Sequence, residues 1–160
     1  MSSLSKIVLG IDCGTAIVGW SVIGVKGNKF EHKGHGAITT EKGNDMSLRL
    51  KKIYEELLII IEKYKPTEMA IEELFFFKNK TTVITVSQGR GVTVLAGAMK
   101  GLPVYGYTPL QVKQAVTGYG RAEKDQVKFM VSKILGLKDP PKLDDINDAL
   151  AVSICHINST

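Results

Sequence analysis

The chain has 160 residues, 44% hydrophobic and 23% charged, the balance of an ordinary soluble globular protein; residues 1–160 are expected to form a single domain around one core. At this length roughly 70% of the unfolded surface is buried on folding, so neither a disulfide framework nor a structural metal is needed. The net charge is +5, and the longest apolar run, Leu57 to Ile61, falls far short of a membrane-spanning helix, which needs ~20 residues.

The first predicted element is residues 6–12, Lys-Ile-Val-Leu-Gly-Ile-Asp, a run of branched apolar residues that reads as a strand buried on both faces and ending in an acid. Two further strands follow over 16–25 and 29–39, joined at Gly27 and Asn28. From Asn44 to Lys65 the apolar positions recur at helical spacing until Pro66 stops them. Residues 67–73 predict a short strand, again ending in acid, and residues 83–100 a second helix. Gly89, Gly91 and Gly97 weaken that helix by about 1 kcal/mol each relative to alanine, so close packing or a subunit contact is expected to compensate. A strand at 103–107, a short helix at 109–116, a Gly-Tyr-Gly loop, a helix at 122–135 and a final helix at 145–157 complete the chain. Five strands in this order predict an α/β fold, a five-stranded mixed sheet flanked by helices.

The segment before Asp12 is too short and too acidic for a secretory leader, so a cytoplasmic protein without membrane association is expected. Cys13 and Cys155 have no metal-site spacing and read as free thiols. Between residues 74 and 138 ten basic residues face two acids, Glu123 and Asp125, a segment charge of +8. Either a solvated lysine-rich surface or a phosphate-binding face fits that segment.

Asp12 and Glu72 each end an apolar strand, at the edge of an open sheet where sites form. Asp145 and Asp148 lie three residues apart on one face of the final helix. First-turn acids favour the helix dipole by roughly 0.3–1 kcal/mol, and Asp144 is a good N-cap residue. The apolar run after Asp148 nevertheless predicts a buried helix whose leading acids face a cleft. Converging carboxylates without partner bases repel one another, and hard oxygen ligands suit Mg²⁺ or Mn²⁺. One or two such ions per subunit would serve phosphodiester cleavage.

These residues together resemble one family. Gly-Ile-Asp-Cys-Gly-Thr at 10–15, Ala-Ile-Glu-Glu-Leu-Phe-Phe-Phe-Lys-Asn at 70–79, Gln-Gly-Arg-Gly at 88–91, Val-Lys-Gln at 112–114, Ala-Glu-Lys at 122–124 and Asp-Ala-Leu-Ala at 148–151 look like the RuvC family of crossover junction endodeoxyribonucleases, in order and spacing over nearly the whole chain. The resemblance implies a ribonuclease-H-like fold, a homodimer, Mg²⁺-dependent resolution of Holliday junctions in DNA recombination and repair, and cooperation with a branch-migration motor. It assigns Asp12, Glu72, Asp145 and Asp148 to the metal, with Asp145 open as ligand or base. Lys113 and Lys124 match cations near the scissile phosphate, and Phe75 an aromatic that contacts junction bases. The wider DNA-binding set expected from the basic segment is Phe75, Lys78, Lys80, Arg90, Lys113, Arg121 and Lys124.

Cys13 departs from the family's usual proline, which places a thiol beside the acids and predicts oxidation-sensitive activity. Trp20 stands where tyrosine is common and reads as core packing. Gly-Ile-Asp-Cys-Gly-Thr also resembles the first phosphate loop of actin-like sugar kinases, but 160 residues cannot supply their two lobes. The remaining rival is a junction-binding protein without nuclease activity, in which the acids are structural.

Overall fold

The computed structural model describes residues 5–73 and 80–160, without the side chains of Lys80 and Thr81. In chain order the elements are β1 (Lys6–Asp12), β2 (Ile17–Lys26), β3 (Lys29–Thr39), α1 (Met46–Tyr64), β4 (Glu68–Glu72), α2 (Lys80–Met99), β5 (Val104–Tyr107), α3 (Pro109–Thr117), α4 (Lys124–Leu135) and α5 (Asp144–Ser159). The strands form one sheet ordered β3-β2-β1-β4-β5, with β1, β4 and β5 parallel and β2 antiparallel to both its neighbours. This is the expected five-stranded mixed sheet, and its boundaries depart from the predicted ones by a few residues at most. No helix among the described residues is long and apolar enough to cross a membrane.

Alternation along the central strands sorts the core into two layers. Leu9 and Ile11 of β1 and Met69 and Ile71 of β4 face α1 and α2, meeting Ile53, Leu57 and Ile61. Val8 and Ala70 face the opposite way, toward Val112 of α3, Val131 of α4 and Leu150 and Ile154 of α5. Most of these side chains are completely buried, and full burial of one Leu or Ile contributes about 1.5–3 kcal/mol. Both layers of helices are therefore fastened to the sheet by apolar packing. Trp20 joins the first layer against Tyr64, ring centroids 5.7 Å apart, as its reading as a packing residue requires.

Local chemistry sets the helix ends. Lys65 closes α1 in the left-handed conformation (φ 49°), its N–H donating to Ile61, and Pro66 cannot extend the helix. Thr108 and Gln111 cap α3 reciprocally: the Thr108 hydroxyl accepts from the Gln111 N–H, and the Gln111 side chain accepts from the Thr108 N–H. Asp144 departs from its expected role. Leu143 is the N-cap of α5, and Asp144, one residue inside, turns its carboxylate to Lys124 and Lys128 on α4. Two ammonium groups satisfy it more fully than one backbone N–H.

The glycines of α2 divide. A Cβ on Gly89 would overlap the carbonyl of Gly14, and one on Gly97 would press on the Met69 thioether, whereas Gly91 meets nothing within 4 Å. The cost of the first two is thus offset inside the subunit, and Gly91 belongs to the open outer face of the helix.

Candidate active site

Strand register brings the first two carboxylates together. Ile11 pairs with Ile71 across parallel β1 and β4, so the next residues, Asp12 and Glu72, leave the sheet side by side on the face that α5 covers. Small residues then let α5 approach. A Cβ on Gly10 would overlap the Ala149 carbonyl and the Ser153 hydroxyl, and one on Gly19 would overlap the Asp145 carbonyl. Ser21 fixes the contact, its hydroxyl donating to the Ala149 carbonyl at 2.9 Å and lying 2.9 Å from the Ser153 hydroxyl. The first turn of α5 is thereby laid across the end of β1.

Carboxylate oxygens of Asp12, Glu72 and Asp148 all lie within 4.8 Å of one another. Asp145, the fourth acid expected, stands outside that group, but its charge acts on Asp12 and it lines the same cavity of about 390 Å³. Lys113 from α3 and Lys124 from α4 line it too, together with apolar walls of Val86, Val112 and Val127. Val86 on α2 carries no polar atom in its side chain, and nothing in the sequence pattern marks it as a site residue.

Electrostatics show how tightly the acids are crowded. Asp12 is 6% exposed. Burial first, then the charges of Asp148, Glu72 and Asp145, push its carboxyl up to about 9. Glu72 is raised to about 7 by burial and Asp148, opposed by Lys113 and Lys124. Asp148 is raised as well, chiefly by burial, with Lys124 opposing. Crowded carboxylates that resist ionising alone, all hard oxygen donors, fit a divalent cation, which removes the repulsion that raises them.

Other expected site residues fall elsewhere. Arg90 on α2 pairs with Glu73 at 3.2 Å, and Arg121 is exposed in the turn before α4. Phe75 and Lys78 lie outside the described residues, as does the side chain of Lys80. Cys13 is buried, and burial pushes its thiol up to about 12. The oxidation sensitivity expected from its place beside the acids is tested by junction cleavage before and after thiol alkylation, unchanged cleavage removing it. Lys128, one of the ten basic residues of the 74–138 segment, lies one turn beyond Lys124 on the same helix face and pairs with Asp144.

A mixed sheet with carboxylates at the ends of two central parallel strands, a third on the helix crossing them and two lysines facing the cluster defines a ribonuclease-H-like nuclease architecture. The family model for crossover junction endodeoxyribonuclease RuvC matches residues 8–156, and the chain belongs to the RuvC family. It is 54% identical over 150 residues to the crossover junction endodeoxyribonuclease RuvC of Desulforamulus reducens, covering 94% of this chain and 92% of that one. The RuvC of Caldanaerobacter subterraneus subsp. tengcongensis is 55% identical over 152 residues, covering 95% and 92%. RuvC of Thermus thermophilus, solved in complex with a Holliday junction substrate, superposes with a TM-score of 0.92 at 34% identity, covering 96% of this chain and 94% of that one.

Proposed function

We propose that this protein is a structure-selective endonuclease that resolves Holliday junctions by paired, symmetric nicks in DNA recombination and repair. The observation that carries the reading is the convergence of Asp12, Glu72 and Asp148 within 4.8 Å, in one cavity with Lys113 and Lys124, in a chain of the RuvC family. Asp12, Glu72 and Asp148 are assigned to hold Mg²⁺, one or two ions per subunit, with Mn²⁺ able to substitute. Bound there, the metal would supply Lewis-acid polarisation of the scissile phosphate and activation of water. Asp145, in the same cavity as Asp12, completes the ligand set or takes the proton of the attacking water. Lys113 and Lys124 face the acids and present positive charge where the phosphate oxygens gain negative charge in the transition state. Phe75, Lys78, Lys80, Arg90 and Arg121 extend the DNA-binding surface from the basic segment.

Two cuts on opposed strands need two sites, and the outer face of α2 supports a homodimer. Ile84, Leu95 and Met99 are 60%, 52% and 64% exposed along it, with Gly91 leaving room for a second helix. One sheet with cores on both faces supports a single nuclease domain over residues 1–160. Family membership supports cooperation with a branch-migration motor in the cytoplasm, where chromosomal DNA lies.

The test is cleavage of a synthetic mobile four-way junction with Mg²⁺, comparing wild type with Asp12→Asn and with linear duplex as control. Symmetric nicks, absent in the variant while junction binding persists, are expected. Binding without wild-type cleavage, across a range of junction sequences and with Mn²⁺ also tried, would replace this reading with a non-catalytic junction binder.

A further inference from the structure

We infer that Asp144 is an internal counter-ion for Lys124, holding the ammonium at the mouth of the site until a DNA phosphate displaces it. The inference rests on the reading of Lys124 as a phosphate-facing cation. Asp144 is the first residue of α5, one position before Asp145, yet it takes no part in the cavity that holds the acids. Its two oxygens are divided between two cations on α4: Oδ2 accepts from Lys124 Nζ at 3.2 Å and Oδ1 lies 2.5 Å from Lys128 Nζ.

The two contacts are unequal. Lys124 is 60% exposed and its contact is the longer; Lys128 is 31% exposed and its contact is the shorter. An exposed ion pair contributes little net stability and exchanges readily with another anion. Lys124 is therefore the partner that leaves, and Lys128 the one that stays. The arrangement solves a specific difficulty. If Asp144 held Lys124 alone, each arriving phosphate would uncover a bare carboxylate beside the DNA. With Lys128 remaining, Asp144 stays neutralised after the exchange, and Lys124 moves to the phosphate without creating new repulsion.

Until the exchange occurs, the pairing with Asp144 withholds one phosphate-neutralising cation, so any DNA that binds without reaching the site lacks it. Counterion release makes log affinity fall with log salt by about 0.9 for each phosphate neutralised. Asp144→Asn frees Lys124 for any backbone, so the slope steepens by about 0.9, an additional loss of 3- to 4-fold in affinity for a fourfold rise in salt. At low salt the variant binds junction and linear duplex more tightly, KM falls, and discrimination between the two DNAs falls with it. Asp144 is a positioning residue, acting through the lysines it pairs.

Binding is measured without divalent metal, so that no strand is cut, on a four-way junction and on linear duplex from low to high salt. Asp144→Asn is expected to steepen the slope and Asp144→Glu to restore it. Asp125→Asn, the same charge change in the first turn of α4 but outside this ion-pair cluster, is expected to match wild type. With Lys124 and Lys128 both replaced by glutamine, Asp144→Asn is expected to change nothing, whereas in Lys128→Gln, which leaves Lys124 paired to Asp144, it is expected to steepen the slope as in wild type. A wild-type slope for Asp144→Asn overturns the inference, as does equal steepening by Asp125→Asn, loss of the effect in Lys128→Gln or its persistence with both lysines replaced. With Mg²⁺ then added, a wild type that binds both DNAs but cuts neither defeats the nuclease reading, while the slope comparison still decides the role of Asp144.

Discussion

Asp12 and Glu72 end neighbouring parallel strands at the same height, yet their carboxyls are driven to different degrees, Asp12 to about 9 and Glu72 to about 7. Lys113 and Lys124 oppose the shift at Glu72, whereas Asp12 is the more enclosed and faces three acids. Without metal, the folded state holds protons that the unfolded chain has already lost. Stability then falls as pH rises, from about 4, where unfolded carboxyls ionise, through about 7 and on to about 9. Thermal unfolding in chelator from pH 5 to 9 should show a falling Tm, and added Mg²⁺ should raise Tm more at pH 8.5 than at pH 6. In metal-free protein Asp12→Asn should flatten the profile.

Asp148 belongs to the three-carboxylate cluster and Asp145 stands outside it. Asp148→Asn should therefore weaken Mg²⁺ binding more than Asp145→Asn does, while both slow junction cleavage. Metal catalysis supplies several kcal/mol, so a loss of about 10³-fold is expected for Asp12→Asn, Glu72→Gln and Asp148→Asn. Calorimetric Mg²⁺ titration beside single-turnover cleavage separates the two roles of Asp145: retained metal affinity with lost cleavage identifies a base.

Gly19→Ala would drive a methyl into the Asp145 carbonyl, backbone against backbone, with no flexible side chain to yield. Overpacking of this kind costs about 1–3 kcal/mol. The predicted outcome is a lower denaturation midpoint together with weakened Mg²⁺ binding, because the first turn of α5 must lift from the sheet. A variant with wild-type metal affinity would show that α5 need not touch β2 for the site to form.

His32 and His35 on β3 share a hydrogen bond, His32 Nε2 to His35 Nδ1 at 2.8 Å, with one proton between them. Burial lowers both pKa values, and the charge of His35 lowers His32 further. Unfolded histidines bind protons first as pH falls, so this contribution is complete above about 6.5 and is lost below it. Replacing both with glutamine should remove that share of the acid-side decline, measured by urea denaturation at pH 7.5 and 5.5.

The order of strands and helices could be read from the chain because apolar runs ending in acids, interrupted by Pro66 and Gly27, leave few alternatives. Asp12, Glu72 and Asp148 could be read for the same reason, each closing or opening an apolar segment. What escaped depends on which elements lie against each other. Asp144 has the identity of an N-cap, and only the proximity of α4 to α5 turns it toward Lys124 and Lys128. Gly10, Gly19 and Ser21 look like ordinary small residues in strands until α5 crosses them. Val86 enters the cavity wall only because α2 runs beside the sheet end.

Cys13, next in sequence to Asp12, is buried in the core layer that α1 and α2 cover, and burial pushes its thiol up. A thiol of that kind reacts with an alkylating reagent only in the brief intervals when the surrounding structure opens. The natural chain thus contains its own clock for breathing at the catalytic edge of the sheet. Cys155, buried in the opposite core layer under α3, keeps separate time for the rest of the molecule.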